Sequence, residues 1–245
     1  MKIVITGATS GLGREMALQY SEAGVHLGVV GRRETLLNEL ADACRAKGAS
    51  VEVYVGDVTD SAAMKDLARC FVETAGGIDL VIANAGVGCP DHLSKGDPDP
   101  LTFVINVNVN GVLNTLLPFI PTMKEQGSGH LVTIASIAGA RGMAGHTTYS
   151  ASKAAVRMLM DGFAYELNDM GIATTTINPG FVKSEMTAKN RFPMPFLVET
   201  DAAARKMLRA IKRKKRVYTF PFPMRFAHFL LATAPRFVLG WLPRR

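Results

Sequence analysis

Two hydrophobic rhythms alternate along this chain. Short runs rich in Val, Ile and Leu occupy 2–6, 25–30, 51–55, 79–83, 130–135, 172–177 and 217–220. Their length and unbroken apolar character read as strands buried on both faces. Between them lie 14–23, 34–47, 61–75, 103–124, 149–170 and 201–212, where apolar residues recur at helical spacing. Regular alternation of strand and helix implies right-handed crossovers and a parallel sheet. The pattern predicts an α/β, doubly wound, three-layer fold with a mainly parallel sheet of about seven strands. One domain takes 1–221, and residues 222–245 form an apolar, basic extension. Two stretches break the rhythm as loops: 87–100, with Gly88, Pro90, Gly96, Pro98 and Pro100, and the glycine-containing 137–148.

In such sheets ligands bind at the C-terminal strand ends. Gly7, Asp57, Asn84, Ser136 and Pro179 all fall there. The first strand runs into Thr6-Gly7-Ala8-Thr9-Ser10-Gly11-Leu12-Gly13 and then a helix. Glycines let backbone approach a pyrophosphate, while helix N–H groups and the macrodipole meet its charge. The spacing is Gly-x-x-x-Gly-x-Gly, which differs from the commoner Gly-x-Gly-x-x-Gly. The second strand ends in Gly31-Arg32-Arg33, where many NAD sites carry an acidic residue for the ribose hydroxyl. Two guanidiniums instead suit a 2′-phosphate and favour NADP(H) over NAD(H). Asp57 and Val58 follow the third strand, with Thr59 or Asp60 placed to cap the next helix. Asn106, Asn108 and Asn110 sit in an otherwise apolar helix, a costly place for amides unless they are bonded.

Tyr149 and Lys153 are four residues apart, hence on one helix face. An ammonium one turn from a phenol favours the phenolate and makes proton exchange with a carbonyl or alcohol feasible. Ser136, at the fifth strand's end, stands thirteen residues before Tyr149.

Composition narrows the partners. The chain has 245 residues with a net charge of +7. From 205 to 245 there are twelve Lys/Arg and no Asp/Glu, so 1–204 holds sixteen cations against 21 anions, a net of −5. A nucleic-acid surface over the body is therefore not expected. Cys44, Cys70 and Cys89 have no paired spacing and read as reduced thiols in a cytoplasmic protein, with no metal site. The first apolar run is too short for a signal peptide.

Taken together these motifs resemble the short-chain dehydrogenases/reductases, a Rossmann-fold superfamily. The match spans 3 to about 184: Thr6-Gly7-x-x-x-Gly11-x-Gly13, Asn84-Ala85-Gly86, Ser136 with Tyr149 and Lys153, and Pro179-Gly180. Asn108, three residues before Gly111, fits the spacing of the family's fourth catalytic member, and Asn106 and Asn110 do not. The resemblance implies NADP-dependent interconversion of a carbonyl and a secondary alcohol. Tyr149 would be general acid or base, Lys153 would lower its pKa and bond the nicotinamide ribose, Ser136 would orient the substrate oxygen, and Asn108 would hold a proton-relaying water. It implies cofactor contacts at Gly7, Thr9, Ser10, Gly11, Leu12, Gly13, Arg32, Arg33, Asp57, Val58, Asn84, Ala85, Gly86, Tyr149, Lys153, Pro179, Gly180, Val182 and Ser184. Ser184 stands where a Thr is usual. A cofactor-binding regulator or scaffold without turnover is the alternative, and an epimerase or dehydratase of the wider superfamily stays open.

The remainder carries the substrate question. Residues 187–198 hold Phe192, Met194, Pro195, Phe196 and Leu197, an apolar lid suited to an apolar substrate. Residues 222–242 are rich in Phe, Leu and Met, with Pro235 and Trp241, and their longest uncharged run is ten residues, too short for the ~20 that cross a bilayer. Lid over the pocket, oligomer interface and peripheral membrane contact through 205–245 are the competing readings. Helices 101–124 and 149–170 could pair across a homodimer or homotetramer interface.

Overall fold

The structure is a computed structural model that describes residues 1–190 and 193–233. Seven strands form one sheet: β1 (Lys2–Thr6), β2 (His26–Gly31), β3 (Ser50–Val55), β4 (Leu80–Ala83), β5 (Gly129–Ile134), β6 (Ile172–Pro179) and β7 (Val217–Phe220). Their order is β3-β2-β1-β4-β5-β6-β7 and every pairing is parallel. The expected fold class is met, with the sheet wholly rather than mainly parallel. The order reverses direction at β1, so a crevice opens between the β1 and β4 ends.

Period-two side-chain alternation builds the layers. Ile3, Ile5, Leu27, Val29, Ile82 and Val132 pack with Met16 of α1 (Gly11–Tyr20), Leu37 and Leu40 of α2 (Glu34–Arg45) and Met207 of α8 (Thr200–Lys212). Val4, Val30, Val81 and Leu131 face the other way. They meet Met64 and Phe71 of α3 (Ser61–Ala75), Leu116 of α5 (Gly111–Leu116), Met123 of α6 (Ile120–Gln126) and Met160 of α7 (Thr147–Asn168). Burying each large side chain contributes about 1.5–3 kcal/mol.

Three departures bear on the site. The expected continuous helix 103–124 begins earlier, as α4 (Asp99–Ile105), and carries a π-helical turn at Asn106–Asn110 before α5 and α6 complete it. This Asp99–Gln126 stretch is long and apolar enough to cross a membrane by composition, but Val104, Val107, Val112, Leu116, Phe119 and Met123 are spent on the core. The glycine-containing loop 137–148 folds Ile137–Ala140 into a 3-10 turn, and α7 starts at Thr147, two residues before Tyr149. Among the described residues, Phe222–Thr233 forms a further helix, α9, packed against β7 and the Ile137–Ala140 turn. Phe192, Pro235 and Trp241 lie outside the described residues, as does all of 234–245.

Candidate active site

The crevice is built by backbone-to-side-chain ties. Asn84, at the β4 end, donates through Nδ2 to the Thr6 and Gly7 carbonyls at 3.0 and 3.2 Å. The Asn84 and Ala85 amides donate to Thr6 Oγ1 at 3.2 and 3.3 Å. These bonds lock the β1 turn onto β4. Two glycines are obligatory there. Gly7 has φ +67°, and a Cβ on it would lie 2.8 Å from Ala85 Cα. A Cβ on Gly13 would lie 2.3 Å from the Gly7 carbonyl oxygen and 2.5 Å from Asn84 Nδ2.

The α1 N-terminus therefore opens onto a bare backbone surface. Its cap residue Ser10 makes no side-chain capping bond and its first turn holds no acid, so an anion meets N–H groups and a free hydroxyl. A Cβ on Gly11 would come 3.6 Å from Ser184 Cβ, which places Ser184 over this helix end. Ser184 is held by Thr187, whose Oγ1 accepts from the Ser184 amide at 2.9 Å and donates to the Val182 carbonyl at 2.7 Å. Val182 is buried and bridges Val198. Pro179 ends β6, and the Gly180 amide donates to the Phe220 carbonyl at 2.7 Å.

On the other flank, Asp57 accepts from the Thr59 amide and hydroxyl, both at 2.9 Å, and from Arg32 Nη1 at 3.4 Å. Burial alone would raise its pKa, but the Thr59 bonds and the Arg32 charge outweigh that and hold it below the usual range. The helix cap is Asp60, which accepts from the Ala63 amide at 3.0 Å. Val58 packs on Gly111. Arg33 reaches Thr9, donating to its Oγ1 through Nε at 3.2 Å and Nη2 at 2.9 Å. The Arg33 guanidinium and the Thr9 hydroxyl thus sit together beside the glycine turn, while Arg32 is held on Asp57.

The catalytic candidates converge at the β4 and β5 ends. Ser136 caps the Ile137–Ala140 turn, accepting from the Ala138 amide at 3.1 Å, and hydrogen-bonds Tyr149. That turn is docked tightly: a Cβ on Gly139 would lie 2.8 Å from the Lys153 backbone. Lys153 is buried, donates to the Ile134 carbonyl at 2.9 Å and holds Nζ 5.8 Å from the Tyr149 ring centre. Asn108 lies wholly buried in the π-helical turn. Its Oδ1 accepts from the Val87 amide at 2.8 Å, and its Nδ2 donates to the Val87 carbonyl at 2.9 Å and Ser152 Oγ at 3.0 Å. A Cβ on Gly86 would sit 3.3 Å from Asn108 Oδ1 and 3.4 Å from Lys153 Nζ, so both polar groups border that glycine.

A family model for short chain dehydrogenase matches residues 1–194. The chain belongs to the short-chain dehydrogenase/reductase family. This dehydrogenase/reductase is 43% identical over 221 residues to an uncharacterized oxidoreductase of Myxococcus xanthus, covering 90% of this chain and 87% of that one. Among solved structures, a short-chain dehydrogenase/reductase from Burkholderia phymatum in complex with NAD is 25% identical with TM-score 0.87, over 100% and 96% of the two chains. A short-chain dehydrogenase from Sphingobium yanoikuyae in complex with NADPH is 26% identical with TM-score 0.84, over 99% and 96%. The protein is thus an NAD(P)-dependent oxidoreductase acting on a small molecule.

Two opposing influences act on the Tyr149 phenol in this structure. Burial dominates and pushes the phenol up, opposed by the Ser136 bond. Burial also lowers the Lys153 pKa to about 8, and its ammonium is turned to the Ile134 carbonyl. Ser152, Gly88, Met186 and Glu185 also belong to the site, although the sequence does not single them out. A Cβ on Gly88 would meet the Tyr149 ring at 3.5 Å and Met186 Sδ at 3.8 Å, so both side chains lie against that glycine. Only proximity in the fold marks these residues.

Proposed function

We propose that this dehydrogenase/reductase prefers NADP(H) and reduces the carbonyl of an apolar substrate to a secondary alcohol. The observation that carries this is the joint placement of Ser136, Tyr149 and Lys153 beside a glycine turn flanked by Thr9, Arg32 and Arg33. The fit to the cofactor is physical: bare glycines and helix N–H groups for a pyrophosphate, the Arg32 and Arg33 guanidiniums for a 2′-phosphate. The NADPH-bound Sphingobium neighbour supports that choice, while the NAD-bound Burkholderia neighbour shows that the fold serves both.

When bound, the dinucleotide supplies the hydride. The protein's work is positioning and one proton. Gly7, Gly11, Leu12 and Gly13 would receive the diphosphate with Ser10, and Ser184 would close over it. Asp57 and Val58 would border the adenine, with Pro179, Gly180 and Val182 beside the nicotinamide and Asn84, Ala85 and Gly86 beneath it. Ser136 would hold the substrate oxygen by hydrogen bonding. Tyr149, kept protonated by burial, would donate its phenolic proton to that oxygen. The Ser136 bond and the Lys153 charge would then stabilise the phenolate. Asn108 fastens the Val87 backbone and Ser152, so its part in a proton relay would use the remaining lone pair of Oδ1.

The apolar substrate rests on what surrounds Tyr149. Met186 lies with it against Gly88, and Phe196, Leu197, Phe222 and Phe226 are exposed on the segments that follow Pro179-Gly180. Met224 of α9 is buried near Gly180, where a glycine Cβ would meet its Cγ at 3.3 Å. This favours a lid role for 222–233. The basic run 212–216 precedes β7 and α9 follows it. A cytoplasmic location suits the three free cysteines.

The test is NADPH and NADH oxidation over ketones of graded chain length. Wild type should turn over the longer apolar ketones with NADPH favoured, and Tyr149→Phe should lose about 10²–10⁴-fold in kcat. Unchanged turnover in Tyr149→Phe would refute the assigned role.

A further inference from the structure

We infer that Glu185 is a specificity-determining residue that competes with the cofactor 2′-phosphate for Arg33 and so couples cofactor identity to the substrate lid. Arg33 does more than reach Thr9. Its Nη1 also donates to the Glu185 carboxylate, at 3.2 Å to Oε2 and 3.4 Å to Oε1. The two residues are 152 positions apart and come from opposite walls of the crevice. Arg33 leaves the β2 end, and Glu185 leaves the segment after β6. The pair therefore straddles the mouth above the glycine turn, with Thr9 as its third member.

Glu185 is not free to drift. Ser184 beside it is tied to Thr187 and seated over Gly11. The loop's base is pinned by the Val198 amide donating to the Phe181 carbonyl and the Lys183 amide donating to the Val198 carbonyl, both at 3.0 Å. Lys183 adds an ion pair to Glu199 at 3.2 Å. A shift of Glu185 therefore pulls on the loop that ends at Met186, which lies with Tyr149 against Gly88.

The chemistry gives the pair a reader's role. A cofactor carrying a 2′-phosphate brings close to two negative charges to a guanidinium that already holds a carboxylate. Arg33 cannot give its best donors to both. The phosphate must displace Glu185 or bind less tightly than Arg33 and Thr9 alone would allow. A cofactor without that phosphate leaves the pair intact. Arg32 is not similarly blocked, because its partner Asp57 lies on its own flank of the crevice. Both partners of the Arg33–Glu185 pair are exposed, so the effect is modest: exposed pairs shift equilibria by about two- to fivefold, and salt near ~1 M screens them.

The inference rests on the NADP(H) reading but is tested apart from it. Binding of NADPH and NADH to the full chain is measured by titration calorimetry for wild type, Glu185→Gln, Arg33→Ala and the double variant, with thermal melting to confirm folding. Glu185→Gln should bind NADPH about two- to fivefold tighter and NADH unchanged, and the gain should vanish in the Arg33→Ala background. Hydrogen exchange of the 183–190 amides should be faster with NADPH than with NADH in wild type, and equal in Glu185→Gln. Equal or weaker NADPH binding by Glu185→Gln, or a gain that survives Arg33→Ala, overturns the inference. The wild-type ratio of NADPH to NADH affinity judges the NADP(H) reading alone.

Discussion

At the scale of single residues, the site is governed by burial more than by the Tyr149–Lys153 charge pair. The phenol is pushed up and the ammonium is brought down to about 8, each because its charged form loses water. Near neutral pH the site therefore holds a protonated tyrosine beside a charged lysine, the pairing a proton donor for reduction needs. As pH rises through about 8, Lys153 sheds its proton and the charge that supports the phenolate disappears. We expect kcat/KM for reduction to be level below this point and to fall above it with a midpoint near 8, since kcat/KM reports groups of the free enzyme. A profile that stays level well above that midpoint would contradict the assignment. Ser136, Tyr149 and Lys153 were legible because their spacing survives translation into a strand end and one helix face. Arg33 and Glu185 were not legible as a pair, since nothing local in a sequence brings together positions on two separate crossovers.

At the scale of elements, the strands were readable and the helix irregularities were not. Buried parallel strands announce themselves as apolar runs, so β1–β7 fall within a few residues of the expected ranges. The π-helical turn at Asn106–Asn110 is invisible to periodicity, because one widened turn hardly alters a helical pattern. It holds Asn108 where its amide bonds Val87 and Ser152. The 3-10 turn at Ile137–Ala140 was hidden by glycines that read as loop but serve close packing on α7. The sheet also stores a pH dependence of its own. His130 on β5 is buried, its Nε2 2.8 Å from Thr175 Oγ1 on β6, and burial lowers its pKa to about 4. The folded state thus resists a proton that the unfolded chain takes up near pH ~6.5. Its stabilising effect is fully present above that value and is lost as pH falls toward about 4. Urea unfolding should show stability at pH ~5 lower than at pH ~7.5 by roughly 1–2 kcal/mol from this group. His130→Gln should remove that share of the loss, and an unchanged pH slope would exclude His130 as its source.

At the scale of the whole molecule, the remaining question is what the outer face of α7 does. Val156, Met160 and Leu167 face the core, yet Met158 and Tyr165 are 75% and 70% exposed on the opposite side. They are seven residues apart and share one stripe. Gly162 lies between them, and a Cβ there would meet nothing within 4 Å, which leaves a shallow trough. Phe103 of α4, which packs beside α7, adds a further 44% exposed ring. Solvated helix faces do not usually carry such residues in a row, whereas a second copy laid antiparallel would seat its Met158 in the opposing trough. Tyr165 is already steadied by the Arg216 guanidinium, 4.6 Å from its ring centre, so the stripe is ordered before any partner arrives. A symmetric interface of about 800 Å² per subunit needs roughly this span of two helices. Light scattering after size exclusion should therefore give at least a dimer for wild type. Met158→Arg would drive a charged side chain into the apolar trough of the other copy, and should shift the mass toward the monomer while changing the stability of the isolated fold by no more than about 0.5 kcal/mol. Because Gly162 offers space on the α7 surface, Gly162→Leu should weaken association by filling the trough without touching the core. A dimer that withstands both substitutions would place the interface elsewhere on the molecule.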